Sequence, residues 1–413
     1  MIFRLMLSTI SCFEVFCCSI FAILTRFFFA KNDFSNAILV IRLDHKIGDM
    51  VIFSDFIRKL HLAYPDKKII LICHISQKVL YQNCPYVSKI LFYDWGNSLV
   101  RSLPFRSIKV FKFMFKNNLL GNWPLAIANR FDEDFHAPFF LRLSNASTRI
   151  GSTSQIGTRK LYSMFLSDIF NTITIKNSSL LHESSRNLLA LKALNIEGVD
   201  GDVFYETWSQ SGDHKAVHAL FSRLGVDKSK EGIALGIGAY AKKRIWPPKY
   251  YSNLISLLLE YKQGNINFFL LGSAEDVVLA EKIKRNLDKS CLSSVYDLTG
   301  STTVGMLSEV LVGCSTFIGN DSGLLHLACA NTPNIIEISC HPSSGDLSHS
   351  NSPARFGPLG TSSIVLQPKD ALFPCADFCL QDHAHCILEI KPLDVFNQAV
   401  ILFQKSNHLK ADS

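Results

Sequence analysis

Three polar turns in this 413-residue chain hold side chains fit for chemistry, and each follows a run that reads as a β-strand. The first is Asp44-His45-Lys46-Ile47-Gly48-Asp49, after AILVIRL at 37–43. Gly48 permits a tight strand-to-helix turn. Asp49 then falls at a helix start, where its carboxylate either points into the crevice or serves simply as an N-cap. The second turn runs from Gly236-Ile237-Gly238 to Lys242-Lys243-Arg244 and Pro247-Pro248. Three cations between a strand and a proline-opened helix either contact phosphate or form a solvated basic loop. The third is Gly319-Asn320-Asp321-Ser322-Gly323-Leu324-Leu325-His326. Free amides at the start of that helix, with the positive end of its dipole, suit a diphosphate without a metal. Ser322 and His326 are four apart and share a face. A histidine in LLHLACA alone would read as core; beside Asp-Ser-Gly it reads as functional.

Strand-like runs at 37–43, 68–73, 89–94, 124–129, 232–238, 266–272, 315–320 and 334–339 alternate with amphipathic, helix-length segments. Such alternation predicts an α/β chain of parallel sheets with crossover helices, ligands sitting at the carboxyl ends of the strands. The alternation breaks after the helix-like HESSRNLLALKALN at 182–195, so two doubly wound units are expected, 37–205 and 206–391. An apolar extension at 1–36 precedes them, and a final helix at 392–413 follows. No GxGxxG is present, which leaves a dinucleotide fingerprint unsupported.

Composition narrows the classes. With 48% hydrophobic and 19% charged residues the chain is too apolar for disorder. The net charge of +7 is uneven: between Arg101 and Lys160 ten basic residues (among them Arg106, Lys109, Arg130, Arg142 and Arg149) face three acids. That predicts an anionic partner, and no zinc-finger, RNP or helix-turn-helix signature accompanies it to favour nucleic acid. The 12 cysteines sit mostly in apolar runs, as in a reducing compartment. Cys375, Cys379 and Cys386, near His383 and His385, do not match a paired CxxC module, so packed thiols and no metal are expected. At 5–30, 19 of 26 positions are hydrophobic. As a spanning helix, its Leu, Ile, Phe and Val would supply roughly −3 to −6 kcal/mol against about +2.5 to +3.5 for Glu14 at the centre. A helix in the membrane interface, or one packed on the first unit, fits the same composition.

Read together, ILVIRLDHKIGDM (38–50), RIG (149–151), HESSRNLLALKALNI (182–196), KKRIWPPKYY (242–251), LLGSAED (270–276), LTGSTTVGML (298–307) and FIGNDSGLLHLA (317–328) resemble glycosyltransferase family 9, the ADP-heptose:lipopolysaccharide heptosyltransferases, in that family's order and spacing. The resemblance implies a GT-B fold, two Rossmann-like domains facing across a cleft with a last helix returning to the first. It implies inverting transfer of a heptose from ADP-heptose to a lipopolysaccharide core or related glycolipid, with no cofactor or metal. Asp49, following Gly48, matches the family's general base. Arg244, beside Lys243, stands where a cation meets the donor phosphates. Asp321, Ser322, Gly323 and His326 match the turn that holds the diphosphate and sugar. Glu275 aligns with the ribose contact, and Thr302 lies where the backbone meets the base. A family relative using another nucleotide sugar, and a non-catalytic sugar- or nucleotide-binding protein, are the alternatives. The implied partners are a nucleotide-sugar donor, a glycolipid acceptor and the membrane surface, not nucleic acid. The implied place is the cytoplasm, at the inner face of the cytoplasmic membrane.

Overall fold

The computed structural model describes residues 2–29, 32–95, 105–131, 135–153, 164, 166–176, 180–360 and 362–411. Arg101, Arg159 and Lys160 of the basic stretch, with its three acids, lie outside the described residues. The chain divides into two compact units, 1–179 with 184–201, and 180–183 with 202–413.

The first unit begins with α1 (Ile2–Phe28) and continues β1 (Ala37–Arg42), α2 (Ile47–Ala63), β2 (Lys68–His74), β3 (Lys89–Tyr93), α3 (Arg106–Lys116), β4 (Leu125–Ala128), α4 (Ala137–Leu143), β5 (Thr148–Ser152) and β6 (Ile173–Ile175). Its strands form one sheet in the order β3-β2-β1-β4-β5-β6, every pair parallel. Every residue of β1 and of β4 is buried, which is why these strands read as unbroken apolar runs. After α5 (Glu183–Lys192), the second unit runs α6 (Ser211–Leu224), β7 (Glu231–Gly236), α7 (Pro248–Tyr261), β8 (Ile266–Leu271), α8 (Val277–Arg285), β9 (Val295–Asp297), α9 (Val304–Val312), β10 (Thr316–Asn320), α10 (Gly323–Asn331), β11 (Asn334–Ile338), β12 (Ser362–Leu366) and α11 (Pro392–Ala411). The sheet order β12-β11-β10-β7-β8-β9 repeats the winding of the first unit. Each sheet therefore reverses its strand order once, between β1 and β4 and between β7 and β10, and a crevice opens at the carboxyl ends of those pairs.

Gly236 and Gly319 face one another across β7 and β10, and a Cβ on either would come within 2.5 or 2.7 Å of the Phe317 ring. Only glycine lets the two strand ends and that ring pack together. Helix α11 packs through Val395, Ala399, Leu402 and Phe403 into the core of the second unit, its Phe403 ring stacked on Tyr261 of α7.

Helix α1 forms an outer layer on α3 and α4. Its buried stripe is Ser11, Val15, Cys18, Ala22 and Thr25, alternately three and four apart, and these small residues let the helix axis approach closely. Glu14 is fully buried within this contact. Its carboxylate accepts from the Arg106 backbone N–H (2.6 Å) and from Arg106 Nε (2.7 Å) and Nη2 (2.5 Å). The opposite face is also apolar but uncovered: Phe13, Phe16, Ile20, Ile23 and Phe27 are all exposed, Phe27 by 77%. The helix is long and apolar enough to cross a membrane. Packed in this way it cannot do so without breaking the Glu14–Arg106 pair.

Candidate active site

In the first unit, Asp49 sits in the first turn of α2, 7% exposed, just beyond β1. The helix begins after Lys46 with no side-chain cap, so the carboxylate is not spent on capping. Arg130, two residues past β4 on the other side of the crevice, donates from Nη2 to Asp49 Oδ2 at 3.2 Å and from Nε to Asp44 Oδ1 at 2.8 Å. Asp44 also pairs with Arg42, a buried cation whose Nη1 donates to Asn187 Oδ1 at 2.8 Å. The aspartate is therefore oriented through one oxygen, and Oδ1 carries no hydrogen bond among the described residues. Sequence reasoning missed Arg130; the signal was its place as the first cation after a buried strand at the reversal.

The basic stretch is not one surface. Arg106 and Arg130 are buried in ion pairs with Glu14, Asp44 and Asp49. Arg142 and Arg149 instead join Arg26 along a groove of about 770 Å³, which Asp33 also lines.

In the second unit the loops after β7 and β10 meet. Arg244 Nη1 lies 3.1 Å from Asp321 Oδ2, and its Nη2 donates to Asn351 Oδ1 at 2.5 Å. Asn320 ties the loops together, accepting from Trp246 N (3.0 Å) and donating to the Ile237 carbonyl (3.1 Å). Ser322 is the N-cap residue of α10 yet makes no capping bond, and Gly323 opens the helix. Ser322 Oγ and His326 Nδ1 are buried and have no hydrogen-bond partner among the described residues. Such atoms, at a helix start beside an arginine, are placed to bind a ligand. Burial, with the nearby His182 and Arg244, pushes His326 down to about 3. At neutral pH this ring offers a hydrogen bond and no charge, so positive charge at the turn comes from Arg244 and the helix amides.

Glu337, on β11 directly beside Gly319, is a further member that sequence reasoning missed. Burial and the neighbouring Asp321 push its carboxyl well above the usual range, against the pull of Arg244. Its carboxyl therefore favours the protonated form and lies near enough to Asp321 and Arg244 to feel both charges. Lys243 does not stand free, because its ammonium donates to the Cys379 carbonyl at 2.6 Å. Glu275, exposed in the turn after β8, and Thr302, after β9 with its hydroxyl oxygen buried and unpaired among the described residues, lie along the same carboxyl edge on separate loops.

The two units share a plan. Each places an arginine–aspartate pair across its reversal, with the aspartate after the first strand in one and after the fourth in the other. Each unit thus carries a candidate site at the carboxyl ends of its central strands. The model of glycosyltransferase family 9 (heptosyltransferase) matches residues 134–337. Lipooligosaccharide heptosyltransferase 2 of Haemophilus ducreyi is 23% identical over 328 residues, covering 78% of this chain and 86% of that protein. Among solved structures, the family 9 glycosyl transferase of Veillonella parvula superposes with a TM-score of 0.72 at 16% identity, over 91% of this chain and 99% of that one. The E. coli ADP-heptose lps heptosyltransferase II gives 0.64 at 17% identity, over 90% and 99%. The chain has the GT-B fold of these structures, and its residues 134–337 carry the match to glycosyltransferase family 9.

Proposed function

We propose that the protein transfers a heptose from ADP-heptose to a lipopolysaccharide core or related glycolipid, with inversion and without a metal at the reacting phosphates. The observation that carries the reading is the turn at 320–326, where Arg244, the α10 amides, Ser322 Oγ and His326 Nδ1 converge with polar valence unfilled. The names of the H. ducreyi relative and the E. coli structure supply the substrate class. In this reading Asp49 takes the proton from the acceptor hydroxyl through Oδ1, while Arg130 holds Oδ2. As the anomeric C–O bond to the diphosphate breaks, charge on the departing ADP is met by Arg244 and the helix amides, and His326 and Ser322 donate hydrogen bonds. Lys243 stands in the donor loop, Glu275 takes the ribose and Thr302 marks the base. Incubating the purified protein with ADP-, UDP- and GDP-sugars and extracted glycolipid should give nucleoside diphosphate release with ADP-heptose, without added Mg²⁺. Turnover restricted to another nucleotide, or strictly dependent on Mg²⁺, overturns the reading.

The same reading places the enzyme at the inner face of the cytoplasmic membrane, with α1 lying in the interface. It is supported by the uncovered apolar stripe and by the arginine-lined groove beside the end of α1, where anionic headgroups would sit. Deleting 1–34 is a poor test, since it also removes core residues Val15, Cys18 and Ala22. Replacing Phe16, Ile23 and Phe27 by Glu leaves the buried stripe whole. This variant should cease to sediment with anionic phospholipid vesicles while keeping its donor affinity; unchanged sedimentation removes α1 as the docking face.

A further inference from the structure

The segment between β12 and α11 gathers three of the late cysteines and one histidine. The Sγ atoms of Cys375, Cys379 and Cys386 and a ring nitrogen of His385 all lie within 4.8 Å of one another. The three cysteines are buried, two of them 2% exposed or less. His385 turns Nδ1 toward the sulfurs, 3.7 Å from Cys375 Sγ and 3.5 Å from Cys386 Sγ. Thiols that merely fill space do not call for an imidazole nitrogen aimed into their midst. A tetrahedral ion with metal–sulfur bonds of about 2.3 Å and a metal–nitrogen bond of about 2.0 to 2.1 Å would set each S···N edge at about 3.6 Å. The observed edges bracket that value. The Leu380 amide donates to Cys375 Sγ at 3.3 Å, an outer bond of the sort that stabilises a ligating thiolate.

We propose that Cys375, Cys379, Cys386 and His385 Nδ1 form a structural site for one tetrahedral, thiolate-preferring cation, zinc or ferrous iron, separate from the transfer chemistry. Three sulfurs and one imidazole are the donor set such ions take, and four protein ligands leave no open position for substrate. The spacing concealed the site because six residues separate the third cysteine from the second and the histidine is its immediate neighbour.

The site has a mechanical purpose. The carbonyl of Cys379, itself a ligand residue, holds the Lys243 ammonium. The adjacent Phe378 ring stacks on His349 with centroids 4.2 Å apart, and the Asp377 carbonyl accepts from the Asp346 amide at 3.1 Å. His349 Nδ1 in turn accepts from the amide of Asn351, whose side chain holds Arg244. Closing four ligands on one ion fixes a long loop that would otherwise carry its own ordering entropy. Lys243 and Arg244, two of the three cations of that loop, are thereby braced from one point.

The test uses the full chain, purified with reductant and without chelator. Elemental analysis should find about one zinc or iron per chain. Exchange with Co²⁺ should give the strong visible d–d bands and thiolate charge-transfer absorption of a tetrahedral sulfur-rich site. Cys386→Ser and His385→Ala should each lower the metal content or shift the Co²⁺ spectrum, and Cys291→Ser should do neither. Stripping the ion should speed amide hydrogen exchange both in 372–390 and in 242–246. A reduced, folded protein that holds no metal and gives no Co²⁺ bands overturns the site, as does a Co²⁺ spectrum indifferent to Cys386→Ser. Faster exchange confined to 372–390 overturns the bracing role.

Discussion

Asp49→Asn should lower the transfer rate by roughly 10²- to 10⁴-fold, the usual worth of a positioned general base, or about 3 to 5 kcal/mol of barrier. The amide keeps the shape of the side chain and a carbonyl oxygen for Arg130, but it has no basic lone pair at Oδ1 for the acceptor proton. The fold should survive, because Arg130 stays paired with Asp44 at 2.8 Å. Donor affinity should be unchanged, since the candidate donor residues from Lys243 to His326 belong to the other unit. Steady-state transfer with calorimetric ADP binding checks both halves. A variant within tenfold of the wild-type rate would remove Asp49 as the base.

Glu14→Ala should have the largest effect on stability, a loss of about 3 to 5 kcal/mol, because it strips the carboxylate from a cation that is itself 1% exposed. That is a large part of the ~5 to 15 kcal/mol that holds a domain folded. Burial pushes the Glu14 carboxyl up, and Arg106 pulls it back only in part, so the pair is costly as well as tight. Replacing both residues by leucine should therefore recover most of the loss, as apolar substitutes for buried pairs do. Urea melts of the three proteins decide the matter. A single variant that loses under about 1 kcal/mol would show that α1 is not part of the core, since a surface pair is worth no more.

The contrast between what the chain announces and what it conceals follows from where side chains find their partners. The eight apolar runs that predict strands correspond to β1–β4, β7, β8, β10 and β11, most of them strands flanked on both sides and buried on both faces. Four strands gave no such signal. β6 and β9 have three residues each, and β12 is a half-exposed edge strand that opens Ser-Ser. β5, Thr148–Ser152, is mixed in polarity. The candidate site behaved likewise. Gly48-Asp49 and the turn at 319–326 stand out as polar interruptions after apolar strands. Arg130 does not, because a cation in a basic stretch looks like surface until its partners 81 and 86 residues earlier are known. Glu337 gains its meaning only from register, beside Gly319 and within reach of the charges on Asp321 and Arg244. His326 was legible as a site residue, but its neutrality is a property of burial that no spacing reports.

Helix α1 joins two tasks that proteins usually keep apart. One stripe completes the core of the first unit, and the other is an apolar coat with nothing over it among the described residues. A protease that clips the segment would thus not free a working enzyme into solution but would uncover α3 and α4 and strand Arg106. Solubility and integrity are written on opposite sides of one rod. If the outer side docks on lipid as proposed, repainting it residue by residue would remove that affinity while the chain keeps its shape.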